Sequence, residues 1–275
     1  MEIPLLKFFV LNDALHSTCD FNLMFAENDV SIYEVVRVED GIPLFLDAHL
    51  RRLYDSARFE GKEIEITTTE IRRRLKILIT QNRMVFGNIK FVYRWSASGD
   101  RQFYAWASPF FYPGKQQYKE GVHAETLFAE RPNPNAKKVL TALRERADSQ
   151  IEKHRCYEVV YVNSKNEITE GSRSNIFFVQ NQHLVTSELS SVLPGVTRAV
   201  IIDLAKHHGI PVVEKKIPLS DLGKFSSCFL SGTSPKILPV SRLNAKTFDV
   251  NDHRVRFLMD IYDDLCKAEK ENFQW

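Results

Sequence analysis

The chain has 275 residues, 44% of them hydrophobic and 26% charged, and a formal net charge of +2. That length and apolar content exclude a disordered chain and support two medium-sized cores, hence two domains. The near-neutral charge excludes a general nucleic-acid footprint, and no apolar run approaches the roughly 18 residues needed to cross a bilayer.

The opening "MEIPLLKFFVLND" lacks the basic start, apolar run and small-residue cleavage site of a signal peptide, so a cytoplasmic protein is expected. Cys19, Cys156, Cys228 and Cys266 lie far apart without a CxxC pair, which predicts reduced thiols. His16 with Cys19 and His154 with Cys156 are not joined by a second pair at zinc spacing, so no metal site is expected.

In chain order, "LLKFFVLN" and "VSIYEVVRVEDGIPLFLDAHL" read as strands, with "EDG" as a hairpin turn. "HLRRLYDSARF" turns helical, with Leu50, Leu53, Tyr54 and Ala57 on one stripe. "TEIRRRLKILITQN" predicts a second helix with Thr69 as its cap and Ile71, Leu75, Leu78 and Ile79 inward. Its triplet Arg72, Arg73 and Arg74 reads as a solvated face. "NIKFVYRWSAS" and "RQFYAWASPFFY" are paired strands around "SGD".

The polar stretch "YPGKQQYKEGV", with Pro113, Gly114 and Gly121, reads as a connector. This predicts an N-terminal α/β domain over 1–113, a linker over 114–121 and a C-terminal α/β domain over 122–275. In the latter, strands "VHAETLF", "YEVVYVN", "NIFFVQN", "HLVTS", "PVVEKKI" and "SCFLSGTSPKILPV" mix with helices over about 139–153 and in "GVTRAVIIDLAKHHG". An amphipathic helix through "HRVRFLMDIYDDLCKAEKE" follows.

The chain has no GxSxG elbow, no GxxxxGK[ST] phosphate loop and no GxGxxG fingerprint. What remains are three small-residue turns, "EGSRSN", "PGVTR" and "SGTSP". In "PGVTR", Val196 and Thr197 open a helix whose unpaired N–H groups and dipole favour an anion. In "SGTSP", the N–H groups of Gly232, Thr233 and Ser234 can form a second cradle. Each turn alone reads as a plain cap or loop; together with a lysine they suggest a phosphate-bearing cofactor.

"YEVVYVNSKNEITEGSRSNIFFV", "LPGVTRAVIIDLAKHHGIPVVE", "SCFLSGTSPKILPV" and the N-terminal "YEVVRVEDGIPLFLDAHLRRLYDSA" resemble the class IV aminotransferases, the fold-type IV enzymes of pyridoxal phosphate. That family contains branched-chain aminotransferases, D-amino acid aminotransferases and aminodeoxychorismate lyases. The resemblance implies a small N-terminal α/β domain, a larger C-terminal α/β domain with a barrel-like sheet, and pyridoxal 5′-phosphate in the cleft between them. It also implies a homodimer in which the partner's first-domain loop helps close the site.

By the same resemblance, Lys137 of "NAKK" forms the Schiff base, while Lys138 keeps the reading of solvated surface that composition alone assigns to both. Glu170 meets the pyridine nitrogen, Arg52 with Thr197 and Thr233 holds the phosphate, and Ser174, Asn175, Val196, Gly232 and Ser234 complete the cofactor contacts. Without it, Glu170 is a turn residue and Arg52 a helix-surface residue. Tyr33, Arg94 and Arg101 are candidate substrate contacts.

Phe103 stands where D-amino acid aminotransferases carry a carboxylate-trapping histidine, which disfavours a D-specific enzyme, and "SGTSP" is closer to the transaminase form of its turn than to the lyase form. The expected reaction is amino transfer between a small amino acid, a branched-chain L-amino acid first, and a 2-oxo acid. The alternatives are release of pyruvate from aminodeoxychorismate, on the route to 4-aminobenzoate and folate, and transfer from D-amino acids.

Overall fold

The computed structural model describes residues 3–23 and 29–275. The chain forms two compact units, one of Met1–Phe111, Ala136–Val139 and Cys266–Trp275, the other of Tyr112–Asn135 and Leu140–Leu265.

The first unit contains β1 (Phe8–Leu11), β2 (Ala14–Ser17), β3 (Val30–Glu39), β4 (Ile42–Pro43), α1 (Leu46–Phe59), α2 (Thr68–Gln81), β5 (Phe86–Trp95) and β6 (Arg101–Ser108). Its strands form a sheet in the order β2-β1-β6-β5-β3-β4, every pairing antiparallel. The predicted "EDG" turn is present: Asp40 and Gly41 both have positive φ, the signature of a tight hairpin.

Period-two alternation sends Ile32, Glu34, Val36 and Val38 of β3 to one face, all buried. There they share a core with Leu46, Leu50, Leu53 and Ala57 of α1 and the predicted Ile71, Leu75, Leu78 and Ile79 of α2, apart from the charged Glu34. The opposite face carries a smaller cluster of Phe9, Leu23, Val92, Tyr104 and Trp106, with Tyr33 against it.

Two local expectations for α2 change. Its N-cap is Thr67, not Thr69: the Thr67 hydroxyl accepts from the Glu70 N–H at 3.2 Å and the Glu70 carboxylate accepts from the Thr67 N–H at 2.6 Å, a reciprocal capping box. Nor is the arginine triplet one solvated face. Arg74 is buried, paired with Asp13 and lying 5.3 Å from the Phe103 ring, and Arg72 pairs with Asp47, leaving Arg73 as the exposed member.

The second unit contains α3 (Lys115–Glu120), β7 (Val122–Phe128), α4 (Thr141–His154), β8 (Glu158–Val162), β9 (Glu167–Gly171), β10 (Asn175–Gln180), β11 (His183–Thr186), α5 (Val196–His207), β12 (Val212–Glu214), β13 (Ile217–Pro218), β14 (Ser227–Gly232), β15 (Lys236–Leu243) and β16 (Lys246–Thr247). The residues expected as a linker are mostly helix α3, whose Tyr118 packs on this unit's core and donates its hydroxyl to the Pro235 carbonyl at 3.1 Å. The last helix, α6 (His253–Asn272), buries Val255, Leu258, Tyr262 and Cys266 at helical spacing, and its C-terminal residues from Cys266 onward belong to the first unit.

Ten strands form a mixed sheet in the order β12-β11-β10-β14-β15-β7-β8-β9-β13, with β16 on β15. The parallel pairs β7–β8 and β11–β12 are joined across α4 and α5, the crossover that parallel strands require. The end strands β12 and β13 do not pair with each other, so the barrel-like sheet is a curled, open one. Its core holds Ile176, Phe178, Leu230, Leu238 and Val240.

Candidate active site

In the first unit, Glu34 is the charged member of an otherwise apolar inward row on β3. His49 and Arg52, one turn apart on α1, reach it together. Arg52 Nε donates to Glu34 Oε1 at 2.7 Å and Nη2 to Oε2 at 2.6 Å, and His49 Nδ1 lies 2.7 Å from Oε2. Burial pushes the Glu34 carboxyl up, but the charge and hydrogen bonds of Arg52, with help from His49, outweigh it and bring the carboxyl down to about 2. Burial moves His49 the other way, below its usual value, against the pull of Glu34. Arg52 is therefore a buried, preoriented guanidinium, not a helix-surface residue.

The segment Ala136–Val139 lies along the start of β3. Tyr33 N–H donates to the Lys137 carbonyl at 3.0 Å, Val139 N–H to the Ser31 carbonyl at 3.1 Å, and Lys137 N–H to the buried Ser56 hydroxyl at 3.1 Å. The two lysines diverge: Lys137 Nζ sits 4.7 Å from the centroid of the Tyr33 ring, while Lys138 Nζ sits 2.9 Å from Glu60 Oε2. The Lys90 ammonium lies 5.1 Å from the same Tyr33 ring and 5.5 Å from that of Trp106.

Arg94 shares the Tyr33 face of the sheet and holds Asp29 through Nε and Nη2 at 2.7 and 2.6 Å. Arg101 pairs with Trp95 across β5 and β6, hence on the opposite face, and its half-exposed guanidinium bonds Glu65. That removes Arg101 from the set facing Tyr33.

In the second unit, Glu170 stands near the end of β9 with its side chain buried. Its Oε1 accepts from Arg131 Nε at 2.8 Å and its Oε2 from the Leu193 N–H at 3.0 Å. The turn after it is wrapped around a second buried carboxylate. Glu158 of β8 accepts from the hydroxyls of Ser172 and Ser174 at 2.6 and 2.9 Å and from the N–H groups of Val159 and Arg173 at 2.9 and 3.1 Å.

Asn175 then opens β10 opposite Ser231 of β14, and its Nδ2 donates to the Leu193 carbonyl at 3.0 Å. Its Oδ1 stands where any Cβ at position 195 would be, and a Cβ on Gly232 would meet the Arg173 carbonyl at 3.3 Å. The turns "EGSRSN", "PGVTR" and "SGTSP", far apart in sequence, are therefore in contact.

Gly195 caps α5 without a side-chain hydrogen bond, and Val196 and Thr197 are buried in its first turn. Ser231 Oγ is buried without a partner beside Gly232, and Thr233 and Ser234 continue that turn. Such a cradle fits a phosphate, because the first-turn N–H groups and a neighbouring hydroxyl all donate. Glu170 fits a protonated ring nitrogen, since its carboxylate is acceptor-only and rigidly aimed.

Sequence reasoning missed Glu34, His49, Ser56, Arg131 and Glu158. Glu34 carried a signal, being a charge at an inward step of a strand, as did Glu158 within "YEVVYV". Arg131 and Ser56 carried none, since their partners are remote in sequence.

Residues 31–243 match the family model for class IV amino-transferases. A Thermotoga maritima protein described as a probable branched-chain-amino-acid aminotransferase is 30% identical over 83% of both chains. The D-alanine aminotransferase of Bacillus licheniformis is 25% identical over 78% of this chain and 80% of its own. The crystal structure of a T.th. branched-chain amino acid aminotransferase with pyridoxamine 5′-phosphate superposes with a TM-score of 0.85, at 20% identity, covering 96% of this chain and 95% of that one.

Proposed function

The chain belongs to the class IV aminotransferases, and from that premise we propose that it transfers an amino group between a branched-chain L-amino acid and a 2-oxo acid, using pyridoxal 5′-phosphate held at Lys137. One observation carries the choice of residue: Lys137 Nζ lies over Tyr33 while its neighbour is engaged by Glu60.

When bound, the cofactor supplies an electron-accepting ring that stabilises the charge left as the substrate's Cα–H bond breaks. Lys137 would hold the cofactor through its amine and would move the proton at the substrate's Cα. Ser56 and Tyr33 hold its backbone on both sides, so the amine returns to one place. Glu170 would hold the ring nitrogen, kept in orientation by Arg131 and the Leu193 N–H. The N–H groups and Thr197 hydroxyl at the start of α5, with the turn at Gly232, Thr233 and Ser234, would hold the phosphate, the group that Arg52 is also suited to bind. Ser174 and Asn175 shape the wall of that cradle.

The cluster of Val92, Tyr104 and Trp106 against Tyr33 favours an apolar substrate side chain, and Arg94 on the same face is a candidate for the substrate carboxylate. A homodimer fits the exposed Val85, Phe86 and Phe111, which a second copy would cover. Four cysteines without a disulfide fit a reducing cytoplasm, and among the described residues no helix is long and apolar enough to cross a membrane.

Visible absorbance of the purified chain with pyridoxal phosphate tests the cofactor. A band that persists through dialysis and shifts on adding L-leucine or L-valine is the expected result, and replacement of Lys137 by alanine removes it whereas replacement of Lys138 does not. A shift with D-alanine alone, or pyruvate release from aminodeoxychorismate without amino transfer, would replace the substrate assignment.

A further inference from the structure

Ala136–Val139 belongs to the first unit, although the residues on both sides of it in the chain belong to the second. Its pairing with β3 is one isolated bridge, Ile32 to Lys138, not a continuous ladder. Helix α1 and its C-cap grip it at two further points, four residues apart and thus on one face. Ser56 accepts the Lys137 N–H, and Glu60 takes the Lys138 ammonium.

Backbone bonds to Ser31, Tyr33 and Ser56 fix the segment on the sheet, and the Lys138–Glu60 pair adds a side-chain tether at the residue next to Lys137. The Lys138 N–H donates to the Ala136 carbonyl at 2.9 Å, a three-residue turn centred on Lys137, so the tether on Lys138 holds the turn that carries Lys137 toward Tyr33. The Glu60 side chain is only 8% exposed and that of Lys138 32% exposed, so the pair is better shielded than an ordinary surface ion pair.

We propose that Lys138 is a positioning residue for Lys137, acting through Glu60 at the end of α1. The inference rests on the reading of Lys137 as the amine that bonds the cofactor.

The test uses the full chain without added cofactor, as wild type, Lys138→Met, Lys138→Arg and Glu60→Gln. Two quantities are measured: amide hydrogen exchange of residues 137–139, and the initial rate of acetylation of Lys137 relative to exposed Lys76, mapped by mass spectrometry. Lys138→Met and Glu60→Gln are expected to change both by about two- to fivefold, the range a partly shielded ion pair implies. Lys138→Arg, which keeps the charge and reach, restores both toward wild type.

A purely structural role would lower the melting temperature without a local change at Lys137. Unaltered exchange and acetylation in folded Lys138→Met would overturn the proposal, as would Lys138→Arg behaving like Lys138→Met; if Lys138→Met does not fold, the same result in Glu60→Gln decides. Failure of the underlying reading is seen separately, as a dialysis-resistant absorbance band that survives Lys137→Ala.

Discussion

Arg52 and Glu34 form a two-point ion pair in the core of the first unit, with both carboxylate oxygens engaged by one guanidinium at 2.6 and 2.7 Å. The depressed Glu34 carboxyl stabilises the fold above its unfolded value of 4.5, and that stabilisation is lost as pH falls from 4.5 toward about 2. At about 1.4 kcal/mol per pH unit, the effect is on the order of 3 kcal/mol. Urea unfolding of wild type and Glu34→Gln should therefore differ by about that amount at neutral pH and converge in acid. A difference independent of pH would show that packing, not charge, separates them.

Gly195→Ala forces a Cβ into Asn175 Oδ1, so the Asn175 bond to Leu193 has to break or the start of α5 has to move. The expected cost is about 1–3 kcal/mol in chemical denaturation, together with weaker retention of pyridoxal phosphate in equilibrium dialysis.

Glu158→Ala strips the acceptor from the hydroxyls of Ser172 and Ser174 and the N–H of Arg173. Buried donors without partners cost about 1–3 kcal/mol each, reduced where water enters, so a loss of about 3 kcal/mol is expected. Glu158→Gln keeps one acceptor oxygen and should lose less. Equal losses for the two variants would assign the effect to volume.

Thr67→Ala should cost about 1 kcal/mol through loss of the capping box, whereas Thr69→Ala should change stability by only a few tenths, both read from urea midpoints.

Much of the fold was legible because its signals are local. Alternation in β3, the apolar stripe of α2 and the amphipathic last helix each need only a few consecutive residues to appear. The corrections share the opposite property. Three threonines in a row, Thr67 to Thr69, offer the same cap chemistry, and only backbone geometry chooses among them. Arg73 and Arg74 both reach Asp13, at 3.6 and 2.5 Å, and Arg74 alone of the two lies over the Phe103 ring and is buried.

The sequence by itself determined the order of elements, the three anion-suited turns and, through the run of matching motifs, the class IV family. Tertiary structure alone decided that those turns touch, through Asn175, Leu193 and the Arg173 carbonyl, and that Arg52 is a buried partner of Glu34. It also decided that the two lysines diverge, one over Tyr33 and the other on Glu60. Periodicity and motif order are properties of neighbouring residues, whereas these contacts join residues from 18 to 104 positions apart, whose meeting depends on how the sheets and helices pack.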